Sequence, residues 1–294
     1  MQKALLSLTA AMSMLIALSG CQPKVEKPAE SNNTQKIEQD NPQLLSMEQP
    51  KQAVVTEPAI DAKTCLALSK SMQKVGDTSK IEAIYTIQKQ LKACLPTASN
   101  AEELSLLENY QAMYRRFLTT NETIEDDNSY TVMQMADEGK KVPDALLKTL
   151  NPKLQHLIRL VEDDADVRVL YQGEGYYEFT HDLQAMADMF TPYLRQDQKA
   201  FIERLAMDNQ KIFWFDAAIA FSLQELIERA QFWEDYIARY PKGYATQVAK
   251  YLFDVYRQLL LFGSENTQWT DDSIHEFLEP EYRSLMLKLA RRPN

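Results

Sequence analysis

Scarcity of glycine restricts the fold of this chain more than any other feature. Seven of its 294 residues are glycine, about 2% where globular proteins usually have about 7%. Because glycine supplies the backbone of tight turns and of phosphate-binding loops, folds that depend on many such segments are disfavoured. Apolar residues that recur at helical spacing from about Asp61 onward predict a mainly α, multi-helix domain.

The clearest helices are predicted in the second half of the chain. Ser222 precedes an apolar stripe and Glu225 stands three residues later, which is the spacing of a capping box. A second helix is expected to stop at Gly263, and a last one to cover about 272–291. Two helices joined by a Tyr-Pro turn resemble one unit of a tetratricopeptide-like repeat. A solenoid-like C-terminal end therefore stays open, although no 34-residue period is found.

Residues 166–180 interrupt the helical pattern. Val167, Val169 and Tyr171 alternate with other residues, and two glycines follow shortly afterwards. This pattern predicts one short β-hairpin or an extended loop. A lone pair of strands is only marginally stable, so the segment is expected to pack on the helices.

The N-terminus has the features of an export signal. Lys3 precedes about fifteen almost entirely apolar or small residues, Ala4 to Leu18, which is short for a membrane span and typical of a signal-peptide core. The run ends in Leu18-Ser19-Gly20-Cys21. An ordinary secretory signal with a chance cysteine is the alternative reading.

Those four residues resemble the lipobox of bacterial lipoproteins at every position. The resemblance implies a signal peptide over 1–20, a lipid on Cys21, and a membrane anchor without a spanning helix. Within that family an Asp after the cysteine favours retention at the inner membrane, whereas this chain has Gln22. If the host is Gram-negative, the resemblance therefore implies the outer membrane, with the domain in the periplasm.

A tether is expected between the anchor and the folded part. Residues 21–60 contain five of the twelve prolines, no glycine and no aromatic residue, so they cannot bury enough apolar surface to offset the entropy of ordering. The helical domain is predicted over 61–294, with a candidate sub-boundary near 120–128 or 165.

Cys65 and Cys94 are the two cysteines that remain after Cys21. They lie on the predicted helices 61–75 and 78–95, and an even pair in an oxidising compartment predicts a disulfide. The bond would join these two helices. Two buried free thiols are the alternative.

Motifs of known chemistry are absent. The three histidines lack zincin spacing, and no Gly-x-Ser-x-Gly elbow, P-loop, Rossmann pattern or EF-hand loop is present. The sequence predicts neither a metal site nor a cofactor. A net charge of −10 argues against nucleic acid as a partner, because phosphate binding needs clustered Lys and Arg.

One candidate site is the loop 173–182. Glu174 and Asp182 form a candidate acid–base pair, provided that they face each other at a suitable separation. Tyr176 and Tyr177 are candidate binding residues for a sugar or a peptide. The alternative is that the tyrosines pack on the helices while the carboxylates face water.

The other candidate is Asp216, in the apolar run 212–219. A carboxylate in such a run is expected to be buried and paired, with Arg204 or Lys211 as its partner. The alternative is an Asp that caps a helix starting near Ala217.

A second resemblance covers about a third of the chain. It is carried by Gly173-Glu174-Gly175-Tyr176-Tyr177, by the segments 216–218, 222–226 and 233–234, by Tyr240-Pro241, and by Leu261-Phe262-Gly263-Ser264-Glu265-Asn266-Thr267. As a set these segments resemble a group of uncharacterised exported bacterial proteins. The resemblance implies a shared helical fold and no activity.

Two functions follow from these features. The favoured one is a non-enzymatic, membrane-anchored lipoprotein that binds an envelope protein or supports envelope assembly. The alternative is an enzyme or ligand binder that acts on carbohydrate or peptide through the loop 173–182.

Overall fold

Helices predominate in the part of the chain that the structure describes. The structure is a computed structural model, and it describes residues 62–118, 127–173, 175–271 and 273–291. The predicted signal peptide, Cys21, the tether and Glu174 lie outside the described residues. Within them, strands occur only as short antiparallel pairs, so the predicted mainly α fold with a short hairpin is confirmed. No described helix is both long and apolar enough to cross a membrane.

Eleven α-helices and six short strands lie in the described ranges. The helices of the described ranges are α1 Ala62–Gln73, α2 Ile81–Cys94, α3 Asn100–Phe117, α4 Asp127–Asp137, α5 Asp144–Leu147, α6 Pro152–Glu162, α7 Leu183–Phe190, α8 Gln196–Asp208, α9 Leu223–Arg239, α10 Thr246–Phe262 and α11 Pro280–Ala290. The strands pair in order as β1 Val167–Gly173 with β2 Tyr176–His181, β3 Trp214–Phe215 with β4 Ala218–Ile219, and β5 Thr270–Asp271 with β6 Glu276–Phe277.

Helices α1, α2 and α3 pack around the two cysteines. Cys65 in α1 and Cys94 at the end of α2 are buried, and their sulfur atoms lie at disulfide distance with the Cα atoms 5.6 Å apart. The structure thus joins the two helices that the sequence predicts to be joined.

A capping box begins helix α3. The N-cap residue is Ser99, and its backbone N–H donates to Glu102 Oε2 at 2.8 Å. Glu102 stands three residues after Ser99, the separation at which a glutamate side chain reaches back to the cap.

Helices α9 and α10 form the hairpin that the sequence predicts. Ser222 Oγ accepts a hydrogen bond from Glu225 N at 3.2 Å, and α10 stops at Gly263. The side chains of Trp233 and Tyr256 are fully buried in this part of the protein. Local capping signals therefore located both helices correctly.

The hairpin β1–β2 pairs Val167 with His181 and Val169 with Phe179. The side chains of Val167, Val169 and Phe179 are buried, and the hairpin contacts α3, α4 and α6. The helices therefore cover one face of the two strands, as the marginal stability of a lone hairpin requires.

The last helix begins later than predicted. Helix α11 starts at Pro280 and not near residue 272, because β5 and β6 precede it. Leu278 N donates to Trp269 O at 3.0 Å, and His275 has a φ of +56°, a left-handed conformation that no α-helix contains.

Candidate functional site

Asp182 caps helix α7. Its Oδ1 accepts hydrogen bonds from the backbone N–H groups of Gln184 at 2.9 Å and Ala185 at 3.3 Å, which satisfies donors that a helix N-terminus leaves free. Its predicted acid–base partner, Glu174, lies outside the described residues. The capping bonds explain the presence of Asp182 without a catalytic role.

Tyr176 and Tyr177 have different surroundings. The Tyr176 side chain is 69% exposed, whereas the Tyr177 ring lies 5.5 Å from the Tyr130 ring and 5.0 Å from the Tyr171 ring, measured between centroids. Burial and the hydrogen bond with Tyr130 raise the pKa of Tyr177 to about 12. The packing alternative therefore applies to Tyr177, and Tyr176 lies in water.

Asp216 lies in the turn between β3 and β4 and is exposed. Asp216 and Ala217 both have positive φ, 48° and 56°, as a two-residue hairpin turn requires. The expectations of a buried Asp216 or of a cap near Ala217 are both wrong, because the apolar run forms a hairpin before α9. Among the described residues, neither Arg204 nor Lys211 forms an ion pair with Asp216.

Arg204 instead belongs to a buried ion cluster that the sequence did not indicate. Its Nε lies 2.8 Å from Asp208 Oδ1. The Arg229 guanidinium donates to Asp208 O at 2.9 Å and to Glu225 Oε1 at 2.7 Å. Breaking a buried pair strands a charge at a cost of about 3–5 kcal/mol, so this cluster holds α8 against α9.

Asp166 is the only carboxylate residue of the described ranges that is buried and also has a positive φ. It lies between α6 and β1 with a φ of +53° and is 6% exposed. Its Oδ2 accepts a hydrogen bond from Tyr110 Oη at 2.5 Å, and its backbone oxygen accepts one from Asp182 N at 2.8 Å. Burial raises the pKa of the Asp166 carboxyl above its usual value, although the Tyr110 hydroxyl opposes the shift.

An aromatic cluster lies beside Asp166. Tyr114 Oη donates to Ala165 O at 2.8 Å, and the Tyr114 ring stacks on the His181 ring with centroids 4.0 Å apart. Burial, followed by the charge of Arg115, lowers the pKa of His181 to about 3. His181 is therefore neutral at pH 7.

A cleft of about 370 Å³ opens beside Asp166. Its walls combine an ammonium group, carboxylates and apolar side chains; they are Lys92, Leu95, Asp166, Ala185, Asp188, Met189 and Tyr193. Sequence reasoning missed this site because acidic runs such as Glu162-Asp163-Asp164 are usually solvated. Only the positive φ and the burial of Asp166 distinguish it.

A second surface surrounds Trp269. Its indole Nε1 donates to Leu259 O at 2.8 Å, and its ring lies 5.4 Å from the Tyr282 ring. These contacts join the end of α10, the β5–β6 hairpin and α11. The three segments carry apolar side chains that are 44–78% exposed, here called the C-terminal patch: Leu261, Phe262, Ile274, Leu278 and Leu287.

Comparison with known proteins assigns neither surface. No protein-family model matches the chain, and neither the curated proteins nor the solved structures contain a match. In the described ranges, no group of three or more His, Cys, Asp or Glu side chains could hold a metal ion.

Proposed function

We propose that this protein is a lipid-anchored lipoprotein of the bacterial envelope whose helical domain docks a partner protein through the C-terminal patch. The anchor rests on the resemblance of Leu18-Ser19-Gly20-Cys21 to a lipobox. By the same resemblance, with Gln22 after the cysteine, the anchor lies in the outer membrane and the domain in the periplasm.

The observation that carries the docking role is the exposure of the C-terminal patch. Isolated exposed apolar residues are normal, whereas a large contiguous group marks a contact surface for a protein or a membrane. The contacts of Trp269 with Leu259 and Tyr282 bring the segments that carry the patch together. Three acidic residues, Glu276, Glu279 and Glu281, and three basic residues, Arg283, Lys288 and Arg291, are exposed in the same segment, so its charges balance and give no net attraction to an anionic bilayer surface. A protein partner is therefore the better match.

A binding role also fits the predicted catalytic residues better than an enzymatic one. Asp182 is bound as a helix cap, and Asp216 lies exposed in a hairpin turn. Neither carboxylate has the buried or paired surroundings that tune an acid or a base for catalysis. The proposal therefore assigns no reaction to the protein.

The docking surface can be tested by photo-crosslinking in intact cells. A benzophenone amino acid at Leu278 is expected to give one dominant protein adduct, which Phe262→Ser removes. Met207→Ser is the matched control, because Met207 is an apolar residue, 54% exposed, outside the patch. The adduct is expected to persist in that variant.

Two outcomes would contradict the docking proposal. One is an adduct that persists in Phe262→Ser, and the other is adduct formation only from a benzophenone placed at Tyr176. The second result would favour the alternative in which the loop 173–182 binds a ligand or substrate.

The anchor has a separate test. Wild-type protein is expected in the membrane fraction and to incorporate labelled palmitate, whereas Cys21→Ser should be soluble and unlabelled. Equal membrane association of the two proteins would exclude an anchor on Cys21, and it would leave the docking test unaffected.

A further inference from the structure

The buried Asp166 carboxylate lines the cleft, and the ammonium group of Lys92 acts on it only at a distance longer than an ion pair. None of the ion pairs formed by the described residues includes Asp166. Its side-chain donors are the Tyr110 hydroxyl at 2.5 Å and the Gln88 amide, which are both neutral groups. Burial of a carboxylate normally requires a paired charge, so a ligand cation bound directly against Asp166 would complete the site.

A metal ion does not suit this position. Calcium takes six to eight oxygen ligands, and magnesium takes about six in strict geometry. The described residues provide no group of three or more side chains that could hold a metal. One buried carboxylate with a hydroxyl beside it matches an ammonium group, which needs only a few acceptors.

The rest of the cleft indicates what the ammonium group would be attached to. Lys92 is exposed on α2 at the rim, and it forms none of the ion pairs found among the described residues. Leu95, Met189 and Tyr193 provide apolar wall, and Asp188 is a second, exposed carboxylate of the cleft. A volume of about 370 Å³ is at the small end of ligand pockets.

We infer that this cleft binds a small zwitterion, an amino acid or a short peptide, with its ammonium group on Asp166 and its carboxylate on Lys92. The apolar side chains of the cleft contact the body of the ligand. This site uses no residue of the C-terminal patch, so the inference is independent of the docking proposal.

Calorimetric titration of the mature chain tests the inference with dialanine as the probe. Dialanine carries both charges, N-acetyl-dialanine lacks the ammonium group, and dialanine amide lacks the carboxylate. At low salt we expect dialanine to bind, and each blocked form to bind about tenfold more weakly, as for loss of one charged contact.

Two substitutions test which residue binds each end of the ligand. Asp166→Asn removes the charge, keeps an acceptor for Tyr110 and tolerates the positive φ. This variant should bind dialanine about tenfold more weakly, and N-acetylation of the ligand should no longer lower the affinity. Lys92→Gln should weaken dialanine similarly and abolish the effect of amidation.

Each substitution has a matched control nearby in the sequence. Asp164 also has a positive φ, 50°, but is exposed, and Lys89 lies exposed on the same helix as Lys92. Asp164→Asn and Lys89→Gln are expected to bind dialanine as the wild type does.

Three results would overturn the inference. They are no heat of binding with dialanine up to about 10 mM, equal affinity for dialanine and its N-acetyl form, or unchanged binding in Asp166→Asn. If that variant fails to fold, comparison of the three probes on the wild-type chain decides the question alone.

Discussion

At the scale of single residues, the cluster around Tyr114 contains two groups that respond to pH in opposite directions. Burial raises the pKa of Asp166 and lowers that of His181. Asp166 therefore contributes most stability at low pH and loses it as pH rises through its folded pKa. His181 contributes above its unfolded pKa of 6.5 and loses that contribution as pH falls toward about 3.

Replacement of His181 by Phe isolates the second effect. Phe preserves the stacking on Tyr114 and cannot take up a proton. We expect the free energy of unfolding of His181→Phe to fall less than that of the wild type between pH 6.5 and about 3, by on the order of 1–3 kcal/mol. Urea unfolding across that pH range measures the difference.

A second histidine provides the comparison for this experiment. His275 is exposed and has a positive φ, which Asn tolerates. His275→Asn is the control for replacement of an exposed histidine. If the free energies of unfolding of wild type and His181→Phe fell in parallel, the pKa of His181 would be the same in the folded and unfolded states.

At the scale of elements, one glycine determines how the chain leaves α10. Gly263 has a φ of +65°, and a Cβ there would lie 2.1 Å from Thr267 O. Gly263→Ala therefore requires movement of the 264–267 turn. We expect the free energy of unfolding to fall by more than about 2 kcal/mol, as for overpacking in addition to backbone strain, and urea unfolding measures it.

Gly139 separates strain from overpacking. Its φ is also positive, +68°, but a Cβ there would have no neighbour within 4 Å. Gly139→Ala should cost only the backbone term, about 1 kcal/mol. Equal costs at the two positions would show that the contact with Thr267 is relieved easily.

The sequence predicts the positions of α9 and α10 correctly but not the surroundings of Asp216. The same 264–267 turn explains the difference. Capping by Ser222 and the stop at Gly263 act within a few residues, so local patterns reveal them. The Asp216 turn instead receives hydrogen bonds from Asn266 and Ser264, about fifty residues away. No local pattern contains that contact, and an apolar run by itself predicts buried structure.

The cysteine pair is expected to stabilise the packing of α1 and α2. A bond that closes a loop of 29 residues lowers the conformational entropy of the unfolded chain. In the chain-entropy model this stabilises the folded state by about 3–4 kcal/mol. We expect the Cys65→Ala, Cys94→Ala double variant to lose about that much stability in urea. Reductant should destabilise the wild type and leave the double variant unchanged. If reductant leaves the wild type unaffected, the thiols are free in the native protein.

At the scale of the whole molecule, the sequence predicts the class of fold and not the cleft. Lys92, Asp166 and Asp188 come from α2, from the turn before β1, and from α7. Each is unremarkable in its own segment, and the site exists only where tertiary packing brings the segments together. The C-terminal patch was likewise hidden, because apolar residues near helix ends usually indicate core.

The distribution of burial across the molecule predicts which parts open first. Helix α11 contains no buried residue, whereas α9 contains the fully buried Trp233. Local opening is easiest where few apolar contacts are lost. Hydrogen exchange followed by mass spectrometry should therefore find α11 and β5–β6 exchanging orders of magnitude faster than α9 and α10.

Exchange in α11 also bears on the docking proposal, because a partner that covers the C-terminal patch would remove its exposure to water. Slow exchange of α11 in the purified protein would mean that the patch is already covered, for example by another copy of the chain. Fast exchange that slows only in the membrane fraction of cells, and not in a Phe262→Ser variant prepared in the same way, is the result expected for a partner bound at the patch.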